Sequence, residues 1–216
     1  MENTKTTFRP ILFSTPMVQA ILEGRKTMTR RTKGLADSYP KNVIFERSNG
    51  WPKQGNWIAK YKISSNPDRF EIENIIKCPY QVGDVFWVRE TFYKTIAEEL
   101  KGAFFYKADI DKLSWTFKWK PSIFMPKEAC RIFLKIKSIR VERLQDISEE
   151  DAKAEGVNCL NPFWQDYTTP ESFFLSPGAS FISLWELING IQSVENNPFV
   201  FVYEFEQIEK PLDFIV

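Results

Sequence analysis

The chain has 216 residues, 43% of them hydrophobic and 26% charged, with a net charge of +1. That is enough apolar material for one sizeable core and a single domain over residues 1–216, and it excludes both a polycation and a disordered chain. There is no histidine, and Cys78, Cys130 and Cys159 stand far apart, which removes histidine general bases, imidazole zinc sites and C-x-x-C redox chemistry.

The first ten residues, MENTKTTFRP, lack an apolar leader core, and no apolar run approaches membrane-spanning length. The expectation is a cytoplasmic protein without a membrane partner, its thiols reduced. A short strand at Ile11 to Phe13 runs into a helix that Ser14 or Thr15 caps and Pro16 opens. Met17, Ala20 and Ile21 fall at helical spacing as its buried stripe, and Gly24 stops it. Arg25, Lys26, Thr27, Thr29, Arg30 and Arg31 follow in one dense basic turn. The helix dipole accounts for Arg25 and Lys26 at a helix C-terminus, but not for Arg30 and Arg31 beyond it.

Residues 34–80 read as an insertion, irregular apart from a hairpin around IAKYKIS. Its Trp51 and Trp57 are expected to pin it to the body. GDVFWVRETF reads as a turn and a strand with Trp87 and Arg89 on one face and Glu90 on the other. Two readings of this trio stand: an aromatic platform with polar donors for a base, or a core tryptophan with an Arg–Glu pair on the strand. A second strand is expected at AFFYKAD, a proline-bounded loop or edge segment at WKPSIFMP, and one long or bent strand along EACRIFLKIKSIRVERLQDI. Trp115 and Trp119 with their lysines suit either nucleic acid or a solvated edge strand.

SEEDAKAEG is a very short helix, with Ser148 as cap, Asp151 at the capping-box position and Gly156 as the stop. Glu155 therefore lies at the negative end of the dipole, where a carboxylate is disfavoured. It is either a general acid or base or a solvated glutamate. A further helix carries Phe181, Leu184, Trp185 and Ile188 on one face, and NPFVFVYEFEQI closes the chain as a strand. This order predicts an α+β, mostly antiparallel sheet closing into a barrel with flanking helices.

With no histidine, the candidate nucleophiles are serine, threonine, cysteine and lysine. Lys26 and Thr29 are spaced to share one side of a turn, and neighbouring arginines favour the neutral lysine that could activate a hydroxyl. ILEGRKTMTRR, YQVGDVFWVRETF, LQDISEEDAKAEGV and NPFVFVYEF together resemble the ASCH domain of the PUA-like superfamily, in particular proteins encoded in phages and prophages. Gly24, Lys26 and Arg31 match that family's G-x-K-x-x-x-x-R signature. The resemblance implies a small β-barrel with a cleft for RNA or a modified nucleoside. It also implies amidohydrolase activity on N4-acetylcytidine through a lysine, a threonine and a glutamate, which fall by motif on Lys26, Thr29 and Glu155. Arg25, Arg30, Arg31 and Arg89 would then bind substrate beside Trp87 and Glu90. No metal or organic cofactor is called for. The alternatives are a non-catalytic RNA-binding module and a ribonuclease.

Overall fold

The computed structural model describes residues 6–35, 39, 43–48, 56–62, 71–96, 102–110 and 117–214. Strand β1 (Phe8–Leu12) runs into helix α1 (Thr15–Leu22) and strand β2 (Met28–Arg31). A meander of β3 (Ile44–Arg47), β4 (Trp57–Lys62) and β5 (Glu71–Ile76) leads to β6 (Val85–Arg89) and to the short pair β7 (Phe92–Lys94) and β8 (Phe104–Tyr106). Then come β9 (Phe133–Arg143), α2 (Glu149–Ala154), the short pair β10 (Trp164–Gln165) and β11 (Phe173–Phe174), α3 (Pro177–Asn189), α4 (Ile191–Glu195) and β12 (Phe199–Ile208).

The central sheet has five strands in the order β1-β6-β9-β12-β2. Only its β1–β6 pair is parallel; the other ladders are antiparallel, giving an α+β fold of mostly antiparallel sheets. Among the described residues no ladder joins the two edge strands, so the expected closed barrel is not formed by backbone pairing. The sheet nonetheless curls far enough that Arg31 Nη2 on β2 donates to the Leu12 carbonyl on β1, 3.1 Å away. A gap lies between these edges.

Strand alternation sorts the core. Phe201, Tyr203 and Phe205 of β12 point with Leu134 and Ile136 into a cluster that includes Val18 and Ile21 of α1. Val200 and Val202 point the other way, under Ala152 of α2 and Phe181 and Trp185 of α3. A third cluster gathers Trp87, Phe133 and Phe214. The insertion belongs to the body: Trp57, Ala59 and Ile76 lie in the first cluster, with the Trp57 ring 6.0 Å from Phe201. Trp57 is thus the expected pin; Trp51 and Trp115 lie outside the described residues.

Helix α1 buries Val18, Ala20 and Ile21, while Met17 is only half-buried. Strand β1 starts at Phe8, earlier than the apolar run suggests, because its register follows Val85–Arg89 of β6. Ser148 caps α2 as its spacing predicts, its hydroxyl accepting from the Asp151 N–H at 3.1 Å. Among the described residues no helix is long and apolar enough to cross a membrane.

Candidate functional site

The basic turn is shaped by the end of α1. Gly24 takes φ +74°, and the N–H groups of Arg25 and Lys26 both donate to the Ala20 carbonyl, at 2.8 and 2.9 Å. The chain then meets the end of α2: Thr27 N–H donates to the Ala154 carbonyl at 2.8 Å, and Lys26 forms an isolated antiparallel bridge with Glu155. Gly156, at φ +86°, permits this approach. A Cβ there would lie 2.8 Å from Lys26 Cβ and 2.9 Å from Ala20 Cβ, closer than packed carbons come.

Two segments far apart in sequence are thereby stitched together. Lys26 Nζ donates to Glu155 Oε2 at 2.7 Å and to the Glu155 carbonyl at 2.8 Å. The other carboxylate oxygen, Oε1, accepts from Arg30 Nη1 at 3.0 Å. Lys26 is 2% exposed and Glu155 is 5% exposed. Burial pushes the Lys26 ammonium below its ordinary value of 10.5; Glu155 opposes that, and Arg31 and Arg30 reinforce it.

Arg30 is the anchor. It lies on the α3 side of the sheet beside Val202, its side chain fully buried, with the guanidinium over the Phe181 ring at 5.5 Å. It donates to Glu142 of β9 and to Asp151 of α2 as well as to Glu155. Arg140 in turn reaches both Glu142 and Asp151. Burial alone would lower the Arg30 pKa, but Glu155 and Glu142, with a hydrogen bond to Asp151, outweigh it and hold the charge on. A permanently charged guanidinium on one carboxylate oxygen changes what the other oxygen needs. Arg30 thus still compensates Glu155 when Lys26 is neutral, while Glu155 itself favours the charged lysine against the effect of burial.

Thr29 lies on the opposite face of β2 from Arg30, paired with Tyr203. It is buried, and its hydroxyl makes no hydrogen bond to any of the described residues. It lines a cavity of about 800 Å³ that opens at the gap between β1 and β2, and Glu155, Gly156, Arg31 and Tyr80 share the lining. Lys26 lies behind Glu155 and is not itself in the lining. A second hollow of about 360 Å³ touches Lys26 from the far side, beside Gly24 and Lys137.

The remaining expected residues divide. Arg31 lines the cavity, and its guanidinium sits over Phe13 at 5.6 Å. Arg30 also borders the cavity, but its donors are spent on carboxylates and on the Met28 sulfur, so it holds the site together and has none to offer a phosphate. Arg25 stays outside, bound to Glu23 and the Gly156 carbonyl. Trp87, Arg89 and Glu90 do not reach the cavity. Trp87 is a core residue with Arg89 over its ring at 5.4 Å, and Arg89 donates to the Met125 and Ile123 carbonyls. Glu90 is buried against Arg131, and burial raises its pKa. Trp87 is thus a core residue, but the Arg–Glu pair expected within the strand is not formed: Glu90 pairs with Arg131 and Arg89 with backbone carbonyls.

Sequence reading missed Glu142, Asp151 as a partner of Arg30, and the cavity residues Tyr80 and Tyr167. Only Asp151 carried a local signal, its place in the α2 cap; the others depend on long-range pairing. Among the described residues no cluster of His, Cys, Asp or Glu has the makings of a metal-ligand set. Comparison with protein families, with curated proteins and with solved structures finds no match.

Proposed function

We propose that the chain is an ASCH-type, PUA-like protein whose curled sheet acts as a barrel split between β1 and β2, and that the split holds an amidohydrolase site for an N4-acylated cytosine. One observation carries this reading: a buried lysine–glutamate pair, already stabilised by a second cation, lies behind a cavity whose wall presents an unbonded threonine hydroxyl.

In this reading Thr29 Oγ attacks the amide carbonyl carbon and its proton passes to Lys26 Nζ. The C–N bond then breaks, the exocyclic amine leaves with that proton, and an ester remains on Thr29. Water adds to the ester with Glu155 as its base, releasing the carboxylic acid and restoring the hydroxyl. Lys26 suits the first step because both N–H groups of a neutral amine have acceptors on Glu155, leaving the lone pair for the hydroxyl. Lys26 Nζ and Thr29 Oγ1 are not within hydrogen-bond distance, and such contacts commonly tighten only in the substrate complex. Arg31 and Tyr80 are the nearby donors for the developing oxyanion.

The test compares the native chain with Thr29→Ala for release of acetate from N4-acetylcytidine and for nucleoside binding by calorimetry. Retained binding with at least a hundredfold loss of hydrolysis supports the enzyme. A native chain that binds RNA without releasing acid supports the binding module, and cleaved RNA supports the ribonuclease.

A further inference from the structure

The cavity has a polarity that the hydrolytic reading leaves unused. Its cations sit on the β2 side, at Arg31 and Lys33 with the hydroxyls of Thr29 and Thr32, while Ser14, Tyr80 and Tyr167 add hydroxyls elsewhere in the wall. Its flanks are mainly apolar. Helix α3 places Phe181 and Trp185 in the core, but the C-terminal part of the same face continues past the core's edge. There Leu187 is 61% exposed and Ile188 54% exposed, both in the cavity wall with Leu184. Across from them stand Leu12, 42% exposed, and the half-buried Met17, also in the wall. Exposed apolar side chains gathered along a concave site mark a ligand surface.

Resting on the amidohydrolase reading, we infer that these flanks form a subsite for an extended aliphatic or aryl acyl group, so that the preferred amide carries an acyl chain longer than acetyl. A single methyl beside Thr29 leaves both flanks in water. A chain of several carbons running outward from the carbonyl covers Leu184, Ile188 and Met17, while the cytosine ring and its sugar keep to the Arg31 and Lys33 side. Each buried methylene is worth roughly 0.8 kcal/mol, which corresponds to about a fourfold gain in affinity.

The experiment measures kcat/KM for N4-acetyl-, N4-butanoyl-, N4-hexanoyl- and N4-benzoylcytidine with the native chain and with Ile188→Asn. Ile188 is half-exposed, so the substitution spares the core. The expected hexanoyl-to-acetyl ratio is at least about tenfold in the native chain, from the same area argument, and falls several-fold in the variant. A native ratio of one or less, or a ratio that Ile188→Asn leaves unchanged, overturns the subsite. The same series is titrated calorimetrically against Thr29→Ala. Affinity rising with chain length there, with no turnover by the native chain, keeps the subsite and rejects the hydrolase; flat affinity rejects the subsite whatever the turnover.

Discussion

At the residue scale, the central fact is how three charges share one carboxylate region. Lys26 and Arg30 hold separate oxygens of Glu155, and Glu142 and Asp151 hold Arg30 in turn. Burying a full ion pair costs several kcal/mol before any gain, so the cluster is retained at an energetic cost. In the proposed mechanism, the proton that Thr29 passes to Lys26 would give that cost a purpose. The pH dependence follows from the direction of the Lys26 shift. Its basic form is the active one, so kcat/KM should climb with pH along a limb whose midpoint lies below 10.5. Lys26→Arg, which cannot deprotonate in this range, should remove both the limb and the activity. The linkage has the same sign. Below 10.5 the folded chain binds fewer protons at Lys26 than the unfolded chain does, so this contribution to stability grows with pH and is lost as pH falls through the folded value. A rate profile flat from pH 6 to 10 would argue against Lys26 as the base.

At the scale of elements, the site is a junction between the C-terminal ends of α1 and α2, and glycine makes both ends. Gly24 was legible as a stop, and its missing side chain faces open space. Gly156 was legible as a stop too, but its second role, letting Lys26 and Ala20 approach, depends on a contact more than a hundred positions away. The two substitutions should therefore differ. Gly24→Ala costs about 1 kcal/mol for its left-handed backbone. Gly156→Ala adds overpacking and should cost about 2–4 kcal/mol. Urea unfolding of the two variants gives the comparison, and equal losses would show that the helix ends are not tightly joined. The strands at Val85, Phe133 and Phe199 and the cap at Ser148 were readable because alternation and capping are local. Three things were not. The α3 face from Phe181 to Ile188 looks like uniform core at helical spacing, yet its last residues leave the body. Arg30 looks like one more surface cation until Glu142 and Asp151 arrive from β9 and α2. Residues 34–80 read as an insertion pinned by Trp57, but nothing local reveals that Ala59 and Ile76 join it in the main core.

For the whole molecule, the net charge of +1 gains meaning once the basic turn is resolved. Arg25 is paired with Glu23, Lys26 with Glu155 and Arg30 with three acids, leaving Arg31 and Lys33 as the cations at the cavity. In the proposed reading, a cavity with these two cations takes a nucleoside-sized ligand rather than a long polyanion. Single-stranded RNA should accordingly bind with a log–log salt slope of magnitude about 1.5 or less, as expected for two phosphate contacts. A slope of four or more, measured by fluorescence anisotropy between 50 and 200 mM salt, would point to an extended nucleic-acid interface. The curled sheet supports the small-ligand view, since its split edge encloses a cavity of about 800 Å³ with Thr29 and Glu155 in its wall. The most direct test of the hydrolytic account is to quench the native chain during turnover of N4-hexanoylcytidine and to sequence the peptides by mass spectrometry. The account predicts one acyl adduct, on Thr29. Acid released while Thr29 stays unmodified, or an adduct on another residue, would contradict it.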